Sequence, residues 1–206
     1  MTIPSPRKPP LKEPMNYPGE YIEKISLADG TQVTIRPILP EDAPGLQEAF
    51  SRLSPQSVYL RFLETFKQLT DKQAQELAEL DYQKRMALVA EVVEQGEKHL
   101  VGVARYAMLD TAHAESPQNV EGVAESAIVV VDEYQGRGLG TILLERLVMY
   151  AREHGVQAFM ATVHHSNARI MRFIQRSGFI SHKRMLEPGV WEIVVTLGKG
   201  AWERAE

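Results

Sequence analysis

The sequence predicts a mixed α/β fold built on a largely antiparallel sheet, and three observations carry that expectation. A β-branched run, Val129-Val130-Val131, turns through Gly136, Gly138 and Gly140 into a long amphipathic helix. Three turn signals, Asp29-Gly30, Gln95-Gly96 and Glu187-Pro188-Gly189, join apolar or alternating runs into hairpins. After the glycine loop, two helical patterns alternate with apolar strand runs.

The elements follow in order. Residues 1–19 hold six of the twelve prolines and are expected to be a flexible tail. Residues 20–200 are expected to form one domain, with 201–206, including Trp202, as a C-terminal tail. Tyr21 to Leu27 alternates, Asp29-Gly30 reads as a type I′ turn, and Thr31 to Ile35 returns as a second strand. Pro40-Glu41-Asp42 opens a helix to about Arg52, with acids in its first turn. Ser54-Pro55 reads as N-cap and first residue of a short helix. Thr70 and Gln73 have capping-box spacing, so a third helix runs to near Asp81. Met86 to Val93 and Leu100 to Leu109 form a hairpin across Gln95-Gly96, and a polar loop covers Asp110 to Gln118. Val120 to Val131 is a strand leading into the glycine loop. From about Gly138 to His154 a helix places Leu139, Ile142, Leu143, Leu147, Tyr150 and Ala151 on one face, with Gly155 just past its end. Val156 to Val163 is a strand, Asn167 opens another helix, and Ile180 to Met185 pairs with Val190 to Leu197.

A strand that turns on glycines into a helix N-terminus is an anion site. Unpaired backbone N–H groups point outward there, and the helix dipole adds roughly half a positive charge. Glycine leaves no Cβ between a phosphate and the amides and tolerates φ > 0. A P-loop would need Gly-Lys-Ser/Thr, and no Lys is present. A dinucleotide fingerprint would need G-x-G-x-x-G and an acid closing the next strand, but that run ends in His164-His165.

Composition sets outer bounds. The chain has 206 residues, 44% apolar and 24% charged, ordinary for a globular protein. A net charge of −4 argues against nucleic acid or an anionic membrane as the main partner. With no Cys, a disulfide framework, a thiolate nucleophile and Cys-ligated metal are all excluded. No apolar run approaches a membrane span, so a cytoplasmic location is the default expectation.

The pattern Q-x-x-G-x-G, from Gln135 to Gly140, resembles the acyl-CoA pyrophosphate loop of the GNAT N-acetyltransferases. Asn167 to Phe179 resembles that family's second motif, which begins in Asn and ends in Gly-Phe, and the likeness covers roughly residues 31 to 197. It implies a mixed, mostly antiparallel sheet flanked by helices, whose central strands splay apart so that the pantetheine arm of acetyl-CoA pairs with exposed strand backbone. Carried over residue by residue, Gln135, Gly136, Arg137, Gly138, Leu139, Gly140 and Thr141 would cup the pyrophosphate, mainly by backbone N–H, with a charge-assisted contact from Arg137. Val129, Val130 and Val131 form the strand end, and Val129 and Val131 would present backbone to the pantetheine arm. Asn167 would hydrogen-bond that arm, cap the following helix, or do both.

Acetyl transfer to an amine requires a base, because an ammonium has no lone pair, and a free lysine amine has a pKa near 10.4. Glu125, a charged residue in an apolar strand, resembles the family's general-base glutamate; Glu91 and Glu121 are the alternatives. Many members carry a Tyr four residues before the Gly of Gly-Phe; here that position is Ile174, leaving Tyr134 and Tyr106 as hydroxyls without positional support. His164 and His165, adjacent on a strand, would face opposite sides, and no third ligand has metal spacing, so no metal is expected. His113 lies in the polar loop.

Ser57 to Leu63, Leu80 to Tyr82 and Met86 to Ala90 resemble the acetyltransferase domain of bacterial Pat-type protein acetyltransferases, whose second motif also lacks the Tyr. That implies a protein lysine acceptor, for example on an acyl-CoA synthetase or another metabolic enzyme, in a monomer or homodimer. The other readings are a small-amine acetyltransferase, which an acidic cleft would favour, and a non-catalytic acyl-CoA-binding module; the 110–118 loop, with Asp110 and Glu115, fits either kind of acceptor.

Overall fold

The computed structural model describes residues 16–109 and 122–198. The expectations for residues 1–15, the 110–118 loop with His113 and Glu115, Val120, Glu121 and Trp202 fall outside the described residues. One eight-stranded sheet runs through the molecule. Its strands are β1 (Glu23–Ser26), β2 (Gln32–Pro37), β3 (Arg85–Glu94), β4 (Glu97–Met108), β5 (Val123–Val130), β6 (Ala158–His164), β7 (Ser181–Glu187) and β8 (Val190–Thr196). Their spatial order is β1-β2-β3-β4-β5-β6-β8-β7. Every neighbouring pair is antiparallel except β5 with β6. A parallel pair needs a crossover, and helix α4 (Leu139–Glu153) supplies it.

Two helical layers cover this sheet. α4 lies on one face with Leu139, Leu143, Leu147, Tyr150 and Ala151 buried, as its spacing predicts. It comes so close that a Cβ on Gly102 of β4 would lie 2.9 Å from Leu143 Cδ1, which explains a glycine inside a central strand. The opposite face carries α1 (Ala43–Ser51), α2 (Pro55–Phe62) and α3 (Asp71–Ala78). There Leu46, Ala49 and Phe50 approach Val103 and Val129. α5 (Ala168–Ser177) follows β6.

Local chemistry sets most boundaries. Ser54 caps α2 by accepting from Ser57 N–H at 3.2 Å, and Pro55 is its first residue. Thr70 and Gln73 form the reciprocal capping box. α3 stops at Ala78, short of Asp81, because the Asp81 carboxylate accepts from the N–H groups of Gln83, Lys84 and Arg85 and so organises a turn.

The turn at Asp29-Gly30 differs in type from expectation. At Asp29-Gly30 only Gly30 has positive φ, while Gly30 N–H bonds to Leu27 C=O and Leu27 N–H to Thr31 C=O. That is a type I turn closed by a glycine bulge, because the loop has three residues rather than two. Gln95 and Gly96 both have positive φ, 51° and 88°, and form the I′ turn. Tyr17 and Pro18, within the stretch expected to be a flexible tail, pack on the domain. Pro18 is buried, and the Tyr17 hydroxyl donates to Pro37 C=O at 3.1 Å.

A buried charge cluster ties β2 to the start of α1. Arg36 makes a two-pronged contact with Asp42, both distances 2.7 Å, and its Nη2 lies 3.0 Å from Glu91 Oε2. Lys98 reaches Glu91 Oε1 at 2.8 Å. Burial pushes the Glu91 carboxyl up, but hydrogen bonds from Lys98 and Arg36 outweigh it and hold the group below its usual 4.5. The stability this contributes is present above that value and is lost as pH falls through the lowered one. Arg36→Met leaves the buried Asp42 carboxylate without its ionic partner and Glu91 with Lys98 alone, and urea denaturation at pH 7 should show a loss of about 3–5 kcal/mol. That deficit should shrink as the pH is lowered below 4.5.

Candidate active site

The glycine loop is held from behind by polar struts. After β5 the chain makes a short 3₁₀ turn, Asp132–Tyr134. The Asp132 carboxylate accepts from the hydroxyls of Ser54 and Ser57, at 3.2 and 2.6 Å, so the loop is fastened to the start of α2. Gln135 Nε2 donates to Val130 C=O at 2.8 Å and to Ser57 Oγ at 3.1 Å, and its Oε1 accepts from Arg169 of α5. Its side chain is thus fully engaged as a brace between β5, α2 and α5, on the wall of the cleft.

Gly136 and Gly138 have φ of 78° and 88°, the left-handed region that favours glycine. Gly138 is the N-cap of α4, and no side chain caps that helix, whereas Ser54, Thr70 and Asn167 cap α2, α3 and α5. Thr141 and Ile142 N–H turn back to Gly138 C=O. The amides of Gly138, Leu139 and Gly140 therefore have no intrahelical partner and point at the cleft with the positive end of the dipole. Leu139 contributes its amide alone; its side chain is fully buried in the core.

The second half of the cleft is a parted sheet. β5 and β6 pair only from Val123 with Ala158 to Glu125 with Met160, and then separate. Antiparallel alternation decides which backbone groups face the gap. Val131 N–H bonds to Val101 C=O at 2.9 Å, so the odd-numbered residues of β5 point their polar groups at β4. Gly122 C=O, which accepts from Gln157 N–H, and Val130 C=O, which accepts from Gln135, point the other way. The open edge hence belongs to Ile128 and Val130. This corrects the expectation for Val129 and Val131, whose N–H and C=O groups are directed at β4.

Between these walls lies a cleft of about 600 Å³, lined among others by Ser57, Val129, Val130, Gln135, Gly136, Gly138, Gly140, Thr141 and Asn167. Asn167 Oδ1 accepts from Ile170 N–H at 3.3 Å, capping α5 while lining the cleft. Arg169, Arg172 and Arg176 of α5 line it too, and sequence reasoning missed them. Their spacing of three, four and seven residues along one helix face was the available signal. Arg137 is turned elsewhere: its Nη1 lies 2.9 Å from Asp29 Oδ2, and its guanidinium stands 4.8 Å from the Tyr134 ring. The cationic contact assigned to Arg137 is not made in this arrangement; the α5 arginines occupy the wall instead.

Glu125 is exposed and occupies the last paired position before β5 and β6 separate. Its side chain shares a face with Ala127 and Val129, the face covered by α1 and α2, and its charge acts on Arg61 of α2. Glu91 is buried, and both its oxygens are engaged by Arg36 and Lys98, which sets it apart from an incoming amine. Neither tyrosine lines the cleft. The Tyr134 hydroxyl donates to Glu94 at 2.7 Å and is pushed up to about 12, chiefly by burial. Tyr106 is buried and raised further, also by burial. The rings of His164 and His165 approach to 4.5 Å instead of facing opposite sides, because β6 ends at His164 and alternation ends with it.

A glycine-looped, uncapped helix N-terminus beside an unpaired strand edge, at the parting of a mixed sheet, is the arrangement of an acyltransferase cleft. Residues 54–179 match the Acetyltransferase (GNAT) family, and the chain belongs to that family as an N-acetyltransferase. It is 35% identical to the acetyltransferase PA5475 of Pseudomonas aeruginosa over 158 residues, covering 77% of this chain and 80% of that protein. It is 28% identical to the acetyltransferase Pat of Mycolicibacterium smegmatis over 76% of the chain, a match spanning only 44% of that longer protein. Among solved structures, the GNAT domain of S. lividans PAT superposes with a TM-score of 0.75 at 28% identity, covering 88% of this chain and 99% of that one. The family resemblance and the splayed sheet expected from it are both realised.

Gly138→Ala forces a Cβ into the left-handed region and should cost about 1–2 kcal/mol in a denaturation midpoint analysis. Gly140→Ala, with φ outside that region and its Cβ 3.7 Å from Ile128 and Val130 carbons, should be better tolerated by the fold.

Proposed function

We propose that the protein transfers acetyl from acetyl-CoA to the amine of a protein lysine, with Glu125 as the base. The observation that carries this reading is the convergence on one cleft of the free amides at Gly138–Gly140 and the open backbone edge of Ile128 and Val130. The residues fit the donor. The amides and the α5 arginines suit its phosphates, and the strand edge suits the amide groups of its pantetheine arm. Bound acetyl-CoA supplies an acetyl thioester whose oxygen becomes negative during transfer.

What this chain's side chains do is narrower. Glu125 takes the proton from the incoming ammonium, directly or through a water, so that the nitrogen lone pair is free. Its exposure leaves room for an amine carried on a large molecule. No tyrosine lines the cleft among the described residues, and Ile174 stands where many relatives carry one, so no side-chain acid is assigned. The protein acceptor, with an acyl-CoA synthetase as the first candidate, rests on the resemblance of Ser57 to Leu63, Leu80 to Tyr82 and Met86 to Ala90 to Pat-type protein acetyltransferases, and the chain is also similar to acetyltransferases named Pat.

Calorimetric titration should show binding of acetyl-CoA and none of NADH. If acetyl-CoA does not bind, the reading of the glycine loop is wrong. Glu125→Gln should keep acetyl-CoA affinity while lowering kcat at neutral pH by about 10²–10⁴-fold. Full turnover by that variant would remove Glu125 as the base.

A further inference from the structure

Beside the cleft lies a second, smaller cavity of about 50 Å³, between α1, α2 and the β4–β5 face. A single water needs roughly 10–15 Å³, so the space holds a group of several atoms. Its described lining is Leu, Phe, Ala, Val and Gly, with two exceptions, Arg61 and Arg105. Arg61 also lines the large cleft, so the two spaces meet at its side chain. Arg61 stands 4.6 Å from the Phe62 ring centroid and feels the charge of Glu125. A cation on an apolar wall with no carboxylate partner among the described residues, as at Arg105, is rare.

The strand register places this pair beside the base. Arg105 of β4 is opposite Ala127 of β5, and Ala107 is opposite Glu125. Arg105 and Glu125 are therefore diagonal neighbours on one face, on the order of 7–8 Å apart at the backbone. Arg85 of β3 shares that face but is paired, 3.4 Å from Asp81. Among the described residues no carboxylate lies within ion-pair distance of Arg105. Burial, followed by the charges of Arg61 and Arg85, drives its guanidinium down to about 10, an unusual value for arginine. An anion placed between the two arginines would relieve both effects. The acetyl donor's phosphates have their own cradle at Gly138–Gly140 and α5.

We propose that Arg61 and Arg105 form a carboxylate subsite on the acceptor side, and that the favoured acceptor lysine lies in an acidic segment whose Asp or Glu side chain docks between them. This rests on the acetyltransferase reading above and adds the class of acceptor. The location next to Glu125 assigns the carboxylate to the molecule bringing the amine. The other source of the same chemistry is an acidic acyl chain on the donor.

The test uses paired lysine peptides, identical except for Glu or Gln at the positions flanking the lysine, with acetyl-CoA as donor. The wild type should favour the Glu peptide by at least about tenfold in kcat/KM, the scale of a charge-assisted hydrogen bond. Arg105→Gln should bring that ratio close to one, acting mainly through KM, and Arg105→Glu should invert it toward a Lys-flanked peptide. Arg61→Gln reads the same subsite from the other side and should lower the same ratio if Arg105 variants fail to fold.

Equal rates of the wild type on both peptides would overturn the subsite while leaving the acetyltransferase intact. A ratio unchanged in both arginine variants would do the same. Transfer from succinyl-CoA exceeding that from acetyl-CoA, and abolished by Arg105→Gln, would overturn it in favour of the acyl chain. Failure of the wild type to acetylate any lysine peptide or protein would overturn the protein-acceptor reading and the subsite with it.

Discussion

Everything at the site depends on where β5 lets go of β6. The two strands share only three register positions, up to Glu125 with Met160. Beyond them, the N–H and C=O groups of Ile128 and the N–H of Val130 face a gap in the middle of a sheet. Unpaired backbone there is costly unless something bonds it. The protein answers once, with the Gln135 side chain on Val130 C=O, and leaves the rest for a ligand that is itself built of amides. The same parting lets α4 begin at the cleft, so strand edge and helix amides address one extended molecule.

Charge is distributed in two regimes. Away from the cleft, arginine is matched by carboxylate: Arg36 with Asp42 and Glu91, Arg146 with Glu23, Arg52 with Glu94 and Glu133. These pairs clamp hairpins and helices onto the sheet. Around the cleft the cations outnumber the anions. Arg172 and Arg176 stand on α5 and Arg61 and Arg105 lie on the α2 and β4 side; among the described lining residues of the cleft Glu145 is the carboxylate, and Glu125 lies outside that lining, its charge acting on Arg61. A chain with a net charge of −4 thus keeps a positive cleft, which suits an anionic donor despite the overall sign.

Much of the fold was legible in the sequence because local rules governed it. The caps at Ser54, Thr70 and Asn167, the buried face of α4 and the strand-turn-helix at Gly136–Gly140 all follow from contacts within a few residues. Errors arose where a competing local hydrogen-bond pattern, or a partner distant in sequence, took the group. Asp81 gave its carboxylate to three amides and ended α3 early. The three-residue loop at Ala28–Gly30 needed one left-handed residue where a two-residue turn needs two. Arg137 was read as a phosphate ligand, but a hairpin distant in sequence supplied Asp29.

The sequence by itself determined the family, the glycine loop and the candidate base, since each is a short pattern whose physics is local: φ > 0 at glycines, uncapped amides, a carboxylate on an apolar strand. Only the tertiary structure decided which residues of β5 bare their backbone and which arginines surround the cleft. The first depends on hydrogen-bond phase, set by Val131 with Val101 across the sheet, and a shift of one residue reverses it. The second depends on α2, β4 and α5 meeting in space, and no spacing along the chain records that meeting.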